Sequence, residues 1–144
     1  MSTRSTTHFI EGGKPQAIVY RQADGYPEGH GVELQEFFDD VERQTKDTRF
    51  NDPSYLAAKL VVWLADRFAH HYDWEDGGKF VKNEPLDFLS VGVCLEDPFD
   101  IEYRYEIHCE NAERPVVKAY SVSCSYPDNV WSAEPVEIPA KSGT

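Results

Sequence analysis

The sequence predicts an α+β domain in which a five-stranded, mainly antiparallel sheet carries two helices inserted after the second strand (ββααβββ). Two observations lead to this prediction. Residues 16–21 and 101–109 alternate at period two, as strands do, whereas 32–44 and 53–70 carry apolar residues at helical spacing. Helices that are grouped together, rather than placed one by one between strands, are typical of the α+β class.

The first two strands are expected to form a hairpin. Residues 6–10 predict a short strand, and 11–15 predict the connection into a second strand that ends at Arg21. Asp24 and Gly25 then break the strand, because Asp accepts hydrogen bonds from nearby backbone and Gly tolerates positive φ. The chain is therefore expected to turn before a helix begins near Val32.

The first helix is predicted at residues 32–44. Its apolar residues recur at i, i+3, i+4 and i+7 and form one stripe: Leu34, Phe37, Phe38 and Val41. The outward positions are acidic: Glu33, Glu36, Asp39, Asp40 and Glu42. This helix is expected to bury one face and present carboxylates on the other.

The second helix is expected to begin after Asp52, which is suited to cap it, and to run to about His70. Pro53 fits its first turn. Its apolar residues cover more than one stripe, which is typical of a helix at the centre of a domain or of one that pairs with a second copy in a homo-oligomer. A long polar and aromatic loop is predicted from about 70 to 85.

Three strands are predicted to complete the sheet. Residues 86–95 are apolar on both faces and so are expected to form a central strand, while 101–109 alternate and 115–124 form the last strand. Residues 1–126 are thus predicted to be one domain. Residues 127–144 are rich in Pro and Ser and predict an extended C-terminal arm, with Trp131 as an anchor.

Composition limits the range of functions. A chain of 144 residues fits one domain, and a net charge of −12 disfavours direct binding of nucleic acid through its phosphates. Three cysteines without a Cys-x-x-Cys pair indicate reduced thiols in a cytoplasm: Cys94, Cys109 and Cys124. The longest apolar stretch is interrupted by charges, so neither export nor membrane insertion is expected.

One turn carries a resemblance. Tyr20-Arg21, followed by Asp24-Gly25-Tyr26-Pro27-Glu28-Gly29 and an acidic helix, resembles a pattern in small proteins of phages and prophages. The strand at 100–107 is similar to one that recurs in the same proteins. The order of elements also resembles that of the phage anti-Thoeris sponges that sequester cyclic ADP-ribose signals. Only the turn matches residue by residue, so no site residue is carried over.

Catalytic and metal signatures are weak. His70, His71 and Asp73 lie together, but adjacent histidines on a helix point in different directions, and a structural role is the preferred interpretation. No serine or cysteine lies in a nucleophile motif. No cofactor and no metal are expected.

The sheet offers a candidate ligand site. Arg21 and Arg104 lie on predicted strands, and arginine forks suit phosphates. Together with Asp24 at the turn, and with aromatic rings on which a base stacks, they give the predicted ligand-binding set: Arg21, Asp24, Tyr26, Trp74, Phe80 and Arg104. The alternative interpretation is that Glu102 and Glu106 merely neutralise Arg104 on an exposed face.

Three hypotheses follow. The first is a non-enzymatic phage-type anti-defence protein of the host cytoplasm that sequesters a nucleotide-derived signal, as a homo-oligomer. The second is an acidic inhibitor in which Glu33, Glu36 and Asp40 enter the basic groove of a nucleic-acid-binding host protein. The third is a hydrolase that uses His30 or His108 as acid or base.

Overall fold

The protein is described from a computed structural model, which covers residues 3–73, 79–82, 84, 86, 90–124 and 129–140. The α+β class is confirmed. The helices are α1 (Val32–Gln44) and α2 (Pro53–Ala69), and a π-helical turn (Pro27–Gly31) leads into α1. The strands are β1 (Ser5–Glu11), β2 (Lys14–Arg21), β3 (His70–Asp73), β4 (Lys79–Lys82), β5 (Val91–Cys94), β6 (Tyr103–His108), β7 (Val117–Cys124) and β8 (Val130–Trp131).

The main sheet has six strands in the order β5-β2-β1-β6-β7-β8. The prediction of five strands is therefore wrong in number. The expectation of antiparallel pairing also misses the centre of the sheet, where β1 and β6 run parallel. This parallel pair is possible because the long connection between the two strands includes both helices, which provides the crossover that parallel strands require.

A second, two-stranded sheet replaces part of the predicted polar loop at 70–85. β3 follows α2 directly and pairs antiparallel with β4, with Tyr72 opposite Phe80. Aromatic residues of this kind favour strands, which explains why the segment pairs instead of staying irregular.

The strand predicted at 86–95 is also corrected. Only Val91–Cys94 forms a strand among the described residues, and it lies at the edge of the main sheet, paired with β2 alone. Val93 is 75% exposed and Leu95 fully exposed. The central position that its apolar sequence predicts is taken by β1.

Both helices pack on one face of the sheet and form a single core. The stripe predicted on α1 is buried: Leu34, Phe37, Phe38 and Val41. α2 buries Leu56, Leu60 and Leu64 completely, so it is a central helix of its own domain. Its start is as predicted, because the Asp52 side chain accepts a hydrogen bond from the backbone of Tyr55 at 3.2 Å.

The C-terminal segment at 129–140 is extended and lies against the domain. β8 pairs antiparallel with β7, and the backbone of Val136 donates to the carbonyl of Ala119 at 2.7 Å. Ile138 packs against the core. Within the described part of the chain, no helix is long and apolar enough to cross a membrane.

Candidate functional site

Arg21 and Arg104, the two arginines of the predicted ligand site, lie on opposite faces of the sheet. Arg21 pairs in register with Ser5, whereas Arg104 pairs with Thr6. Successive residues of a strand point to opposite faces, and cross-strand partners share a face. The two guanidinium groups therefore do not converge on one ligand.

Arg21 is part of a buried polar network between the sheet and the helices. Its side chain is 3% exposed, and its NH1 group donates to Oε2 of Glu33 at 2.7 Å. The same nitrogen donates to Nδ1 of His30 at 3.0 Å, and the guanidinium lies 4.9 Å from the ring centroid of Phe68. These contacts tie β2 to α1 and α2, which gives Arg21 a structural role.

His30 completes the network from the π-helical turn. Because Nδ1 accepts from Arg21, the ring proton is on Nε2, which donates to Oγ1 of Thr7 at 2.7 Å. Its ring packs edge to face on Tyr105, with centroids 4.9 Å apart. Burial, and then the neighbouring charge of Arg21, hold the pKa of His30 well below its usual value. His30 is thus a buried neutral ring. The hydrolase hypothesis requires a histidine that reaches a substrate, and this buried ring does not fit that role.

This geometry predicts a loss of stability in weak acid. Below the unfolded-state pKa of 6.5, the histidine is protonated in the unfolded chain, whereas the buried ring of the folded protein stays neutral. The unfolded state therefore binds more protons, and the free energy of unfolding falls as the pH falls. Between about pH 7.5 and about pH 5.5 the expected contribution of this one group is about 1.4 kcal/mol, measured by urea unfolding. His30→Gln keeps one donor and one acceptor and should flatten this dependence. An equal pH dependence in the native protein and in His30→Gln would contradict the assignment.

Asp24 and Tyr26, also in the predicted site, form the turn itself. Asp24 adopts a positive φ of 57°, and its carbonyl accepts from the backbone of His30 at 3.0 Å. The carbonyl of Gly25 accepts from the hydroxyl of Tyr105 at 2.6 Å. Tyr26 is 38% exposed at the surface of the turn. These contacts explain the turn sequence by packing, without a ligand.

Two aromatic members of the predicted site are not placed. Trp74 lies outside the described residues. Phe80 lies on β4, but its side chain also lies outside the described part of the structure. Their role as stacking surfaces stays a prediction.

Arg104 belongs to a mixed-charge cluster on the face of the sheet that the helices leave free. Its NH2 group lies 3.0 Å from Oε2 of Glu106, whose other oxygen accepts from Nε2 of His108 at 3.2 Å. The guanidinium lies 5.5 Å from the ring centroid of Tyr120 and 5.1 Å from that of Trp131. The alternative interpretation was that Glu102 and Glu106 neutralise Arg104 on an exposed face. The contact with Glu106 agrees with it, but the Arg104 side chain is only 24% exposed.

A second polar group, formed by Asp97, His8 and Thr6, lies near the Arg104 cluster. Oδ1 of Asp97 accepts from Nε2 of His8 and from Oγ1 of Thr6, each at 2.6 Å. Burial raises the pKa of Asp97, but these hydrogen bonds and the charge of Arg104 outweigh it and leave the pKa below its usual value. The carboxylate therefore stays ionised and clamps the 95–101 loop onto β1.

The carboxylates on the acidic side of α1 all have contacts within the chain. Each of its five outward carboxylates has an ion pair or hydrogen bond: Glu33, Glu36, Asp39, Asp40 and Glu42. Arg67 donates to Glu36 at 3.1 Å, and the indole of Trp63 donates to Asp40 at 2.8 Å. The acidic-inhibitor hypothesis needs Glu33, Glu36 and Asp40 to face a basic partner, and all three are already engaged.

A groove of about 840 Å³ lies between α1 and α2 and is called the interhelix groove here. Arg43 lines it from α1, and Lys59, Trp63 and Arg67 line it from α2. Its other lining residues are Phe37, Asp40, Val41, Gln44, Thr45, Ala58, Val62, Asp66 and His70. None of these residues belongs to the ligand site that was predicted from the sequence.

The charge of the interhelix groove differs from that of the chain. Three cationic side chains, Arg43, Lys59 and Arg67, face two carboxylates, Asp40 and Asp66, so the formal sum is +1 with His70 neutral. The whole chain carries −12. Anions are therefore repelled less in this groove than by the acidic surface of the chain as a whole.

Trp63 is held in a fixed position at the wall of the interhelix groove. Its indole N–H donates to Asp40, and its ring packs edge to face on Phe37 with centroids 5.8 Å apart. The guanidinium of Arg67 lies 5.1 Å from its centroid. The hydrogen bond from the indole lowers the pKa of Asp40. Because the ring is already oriented, a planar ligand that stacks on it loses little to ordering.

Metal and thiol chemistry receive no support from the described residues. No group of three His, Cys, Asp or Glu there is arranged to hold a metal ion. His70 donates from Nδ1 to the carbonyl of Asp66 at 2.8 Å. Burial raises the pKa of Cys109 to about 11, and burial and Asp97 raise that of Cys94, so both are thiols rather than thiolates at neutral pH.

In comparisons with protein-family models, with curated proteins and with solved structures, nothing matches this chain. The resemblance of the turn to phage proteins therefore stays a prediction.

One sequence signal for the interhelix groove was missed. Lys59, Trp63 and Arg67 follow one another at intervals of four residues, which places them in one row along α2. A tryptophan between two cations at this spacing is a pattern that favours an anionic, planar ligand.

Proposed function

We propose that the protein is a non-enzymatic binding protein that sequesters a nucleotide-derived signal, such as a cyclic ADP-ribose, in the interhelix groove. The observation that carries the proposal is the row of Lys59, Trp63 and Arg67 on α2, facing Arg43 of α1 across a groove of about 840 Å³. Volumes of about 300–1,000 Å³ are usual for small-molecule sites. The site thus moves from the sheet, where the sequence predicts it, to the helices.

The chemistry of the interhelix groove suits the two halves of a nucleotide. Arg43 and Lys59 supply charge-assisted donors for phosphate oxygens, and the indole of Trp63 supplies a surface for a base. Asp40 and Asp66 disfavour a densely charged ligand such as a triphosphate. A pyrophosphate bridged between two sugars, with its charge spread, is the better match.

The cations can exchange their present partners for a ligand at small cost. Arg43 pairs with Asp40 at 3.0 Å, but the Arg43 side chain is 68% exposed, and exposed pairs contribute about 1 kcal/mol or less. Lys59 donates to the carbonyl of Thr48 at 3.3 Å. Water replaces either contact when the side chain turns to a phosphate.

The choice of signal, and the setting in which it is sequestered, rest on the resemblance. The turn is similar to that of small phage proteins, and the predicted order of two strands, two helices and three strands resembles that of anti-Thoeris sponges. The structure adds β3, β4 and β8 to this order. In that setting the protein acts in the host cytoplasm and removes a signal from a defence pathway without turning it over. Tight binding with slow release is sufficient for this task.

We expect charge reversal in the interhelix groove to abolish binding. The double variant Arg43→Glu/Lys59→Glu should weaken binding of ADP-ribose or its cyclic form by more than about tenfold, measured by titration calorimetry, because two phosphate donors become repulsive carboxylates. Lys14→Glu/Lys118→Glu changes the net charge equally, away from the groove, and should bind as the native protein does. Native mass spectrometry of protein purified from cells should show a bound small molecule in the native chain and none in the groove variant.

A third variant separates the two candidate sites. Arg104→Ala should leave binding unchanged, because Arg104 lies on the other face of the sheet. Loss of binding in Arg104→Ala, with the groove variant unaffected, would move the site to the sheet. Turnover of the nucleotide by the native protein would contradict the proposal that the protein is not an enzyme.

A further inference from the structure

Asp40 contacts both groups of the interhelix groove that bind the two halves of a nucleotide in the proposed function. Its Oδ2 accepts a hydrogen bond from the indole N–H of Trp63 at 2.8 Å, and its Oδ1 accepts one from the NH2 group of Arg43 at 3.0 Å. Asp40 lies on α1 and Trp63 on α2, so the first bond joins the two helices that form the groove. One carboxylate thus holds the stacking ring and a phosphate donor.

By its charge alone, Asp40 would weaken the site. The proposed ligand is an anion, and a carboxylate in the groove repels it. A favourable contribution of Asp40 must therefore come from its contact with Trp63. An indole ring has a single N–H donor and no acceptor, and in Trp63 this donor is directed at Asp40.

The bond between Asp40 and Trp63 is suited to hold the ring. The hydrogen bond from the indole is the largest cause of the lowered pKa of Asp40, so the acceptor is an ionised carboxylate at neutral pH. Hydrogen bonds to ionised acceptors are stronger than those between neutral groups. The ring also contacts Phe37 and the guanidinium of Arg67, but both contacts are less directional than a hydrogen bond. Asp40 therefore sets the direction of the indole N–H.

The hydrogen bond from the indole can persist when a ligand binds. Arg43 and Trp63 use different oxygens of Asp40, so Arg43 can turn to a phosphate while Oδ2 keeps the indole. A side chain that a ligand must first immobilise lowers the affinity by about twofold to tenfold. A ring that is already held avoids this loss.

We propose that Asp40 is the positioning residue through which the interhelix groove selects anions that carry a planar ring. It holds the indole of Trp63 so that a base stacks on it, and it thereby favours a nucleotide over the same sugar phosphate without a base. The inference rests on the proposed function, because it concerns the same ligand and the same groove. The proposed function requires that ADP-ribose binds there, whereas the inference requires that Asp40 acts through Trp63 rather than through its charge.

Asp40→Asn and Asp40→Ala are a matched pair that tests this inference. Both remove the negative charge, but only the amide oxygen of Asn can accept from the indole. Titration calorimetry with ADP-ribose should give an affinity about twofold to tenfold lower for Asp40→Ala than for Asp40→Asn, because the ligand must then order the ring itself. Ribose phosphate, which has no base, should not distinguish the two variants. Circular dichroism checks that both are folded.

Trp63→Phe completes the test. Phe keeps a ring that stacks but has no N–H, so in this background Asp40→Asn and Asp40→Ala should bind ADP-ribose equally. Equal affinities of the two Asp40 variants in the presence of Trp63 would overturn the inference and leave the proposed function intact. A difference that persists in Trp63→Phe, or that appears with ribose phosphate, would overturn it too. A native chain that does not bind ADP-ribose at about 1 mM contradicts the proposed function, and the inference with it.

Discussion

Glu33→Ala is expected to destabilise the protein by about 3 kcal/mol or more, because it leaves the buried guanidinium of Arg21 without its carboxylate. The Arg21 side chain is 3% exposed, and Glu33 is its anionic partner at 2.7 Å. His30 is neutral and offers only a lone pair. Urea unfolding, monitored by circular dichroism at neutral pH, measures the change in free energy.

Glu36→Ala is the matched control for this variant. Glu36 lies one turn along the same helix and binds Arg67, whose side chain is 43% exposed and solvated. Exposed pairs of this kind contribute about 1 kcal/mol or less. The double variant Arg21→Met/Glu33→Leu removes both charges and should recover most of the loss. Equal losses in Glu33→Ala and Glu36→Ala would show that Arg21 is hydrated in solution.

Gly25→Ala is expected to cost about 2–3 kcal/mol through overpacking. A Cβ at this position would lie 2.7 Å from both Cβ and Oγ of Ser5 and 2.9 Å from the carbonyl of Thr3. Ser5 is completely buried on β1 and has no room to move. The thermal midpoint and the free energy of unfolding should both fall.

Gly92→Ala provides the comparison. Its Cβ would approach nothing closer than 3.7 Å, so the same added methyl group should change stability by less than about 1 kcal/mol when measured in dilute protein. A Gly25→Ala variant as stable as Gly92→Ala would mean that the turn opens without cost. The expected loss of stability would instead show that packing requires a glycine at this position. The motif that carries the phage resemblance would then be a feature of the fold rather than of a binding site.

Local patterns predicted the helices well. The stripe from Leu34 to Val41 predicts α1, and the Asp52 cap predicts the start of α2. Both signals were readable because each depends on residues only a few positions apart in the sequence. The alternation of β6 was visible for the same reason, with Tyr105 and Ile107 buried on the helix side.

The order of the strands was not predictable in this way. β1 pairs with β6, with Ser5 opposite Tyr103, and nothing in the period of either strand encodes so distant a neighbour or its direction. Once β1 occupies the centre, the apolar strand at Val91–Cys94 is displaced to the edge. Its composition predicted burial on both faces, whereas Val93 is 75% exposed.

The candidate site shows the same limit. Arg21 was recognised as unusual, but its neutralisation depends on Glu33 and His30, which reach it only after α1 folds back on β2. The row of Lys59, Trp63 and Arg67 was present in the sequence, whereas the groove in front of it exists only because α1 lies alongside α2.

The most direct test of the interhelix groove is the indole region of a ¹H–¹⁵N correlation spectrum during titration with ADP-ribose. The chain has three tryptophans, so the spectrum reports Trp63 in the groove and Trp131 beside Arg104 as separate signals, assigned by substitution to Phe. The account predicts that the Trp63 signal shifts in a saturable manner and that the Trp131 signal does not move. A shift of Trp131 with Trp63 fixed, or no shift of any indole signal at about 1 mM ligand, would contradict it.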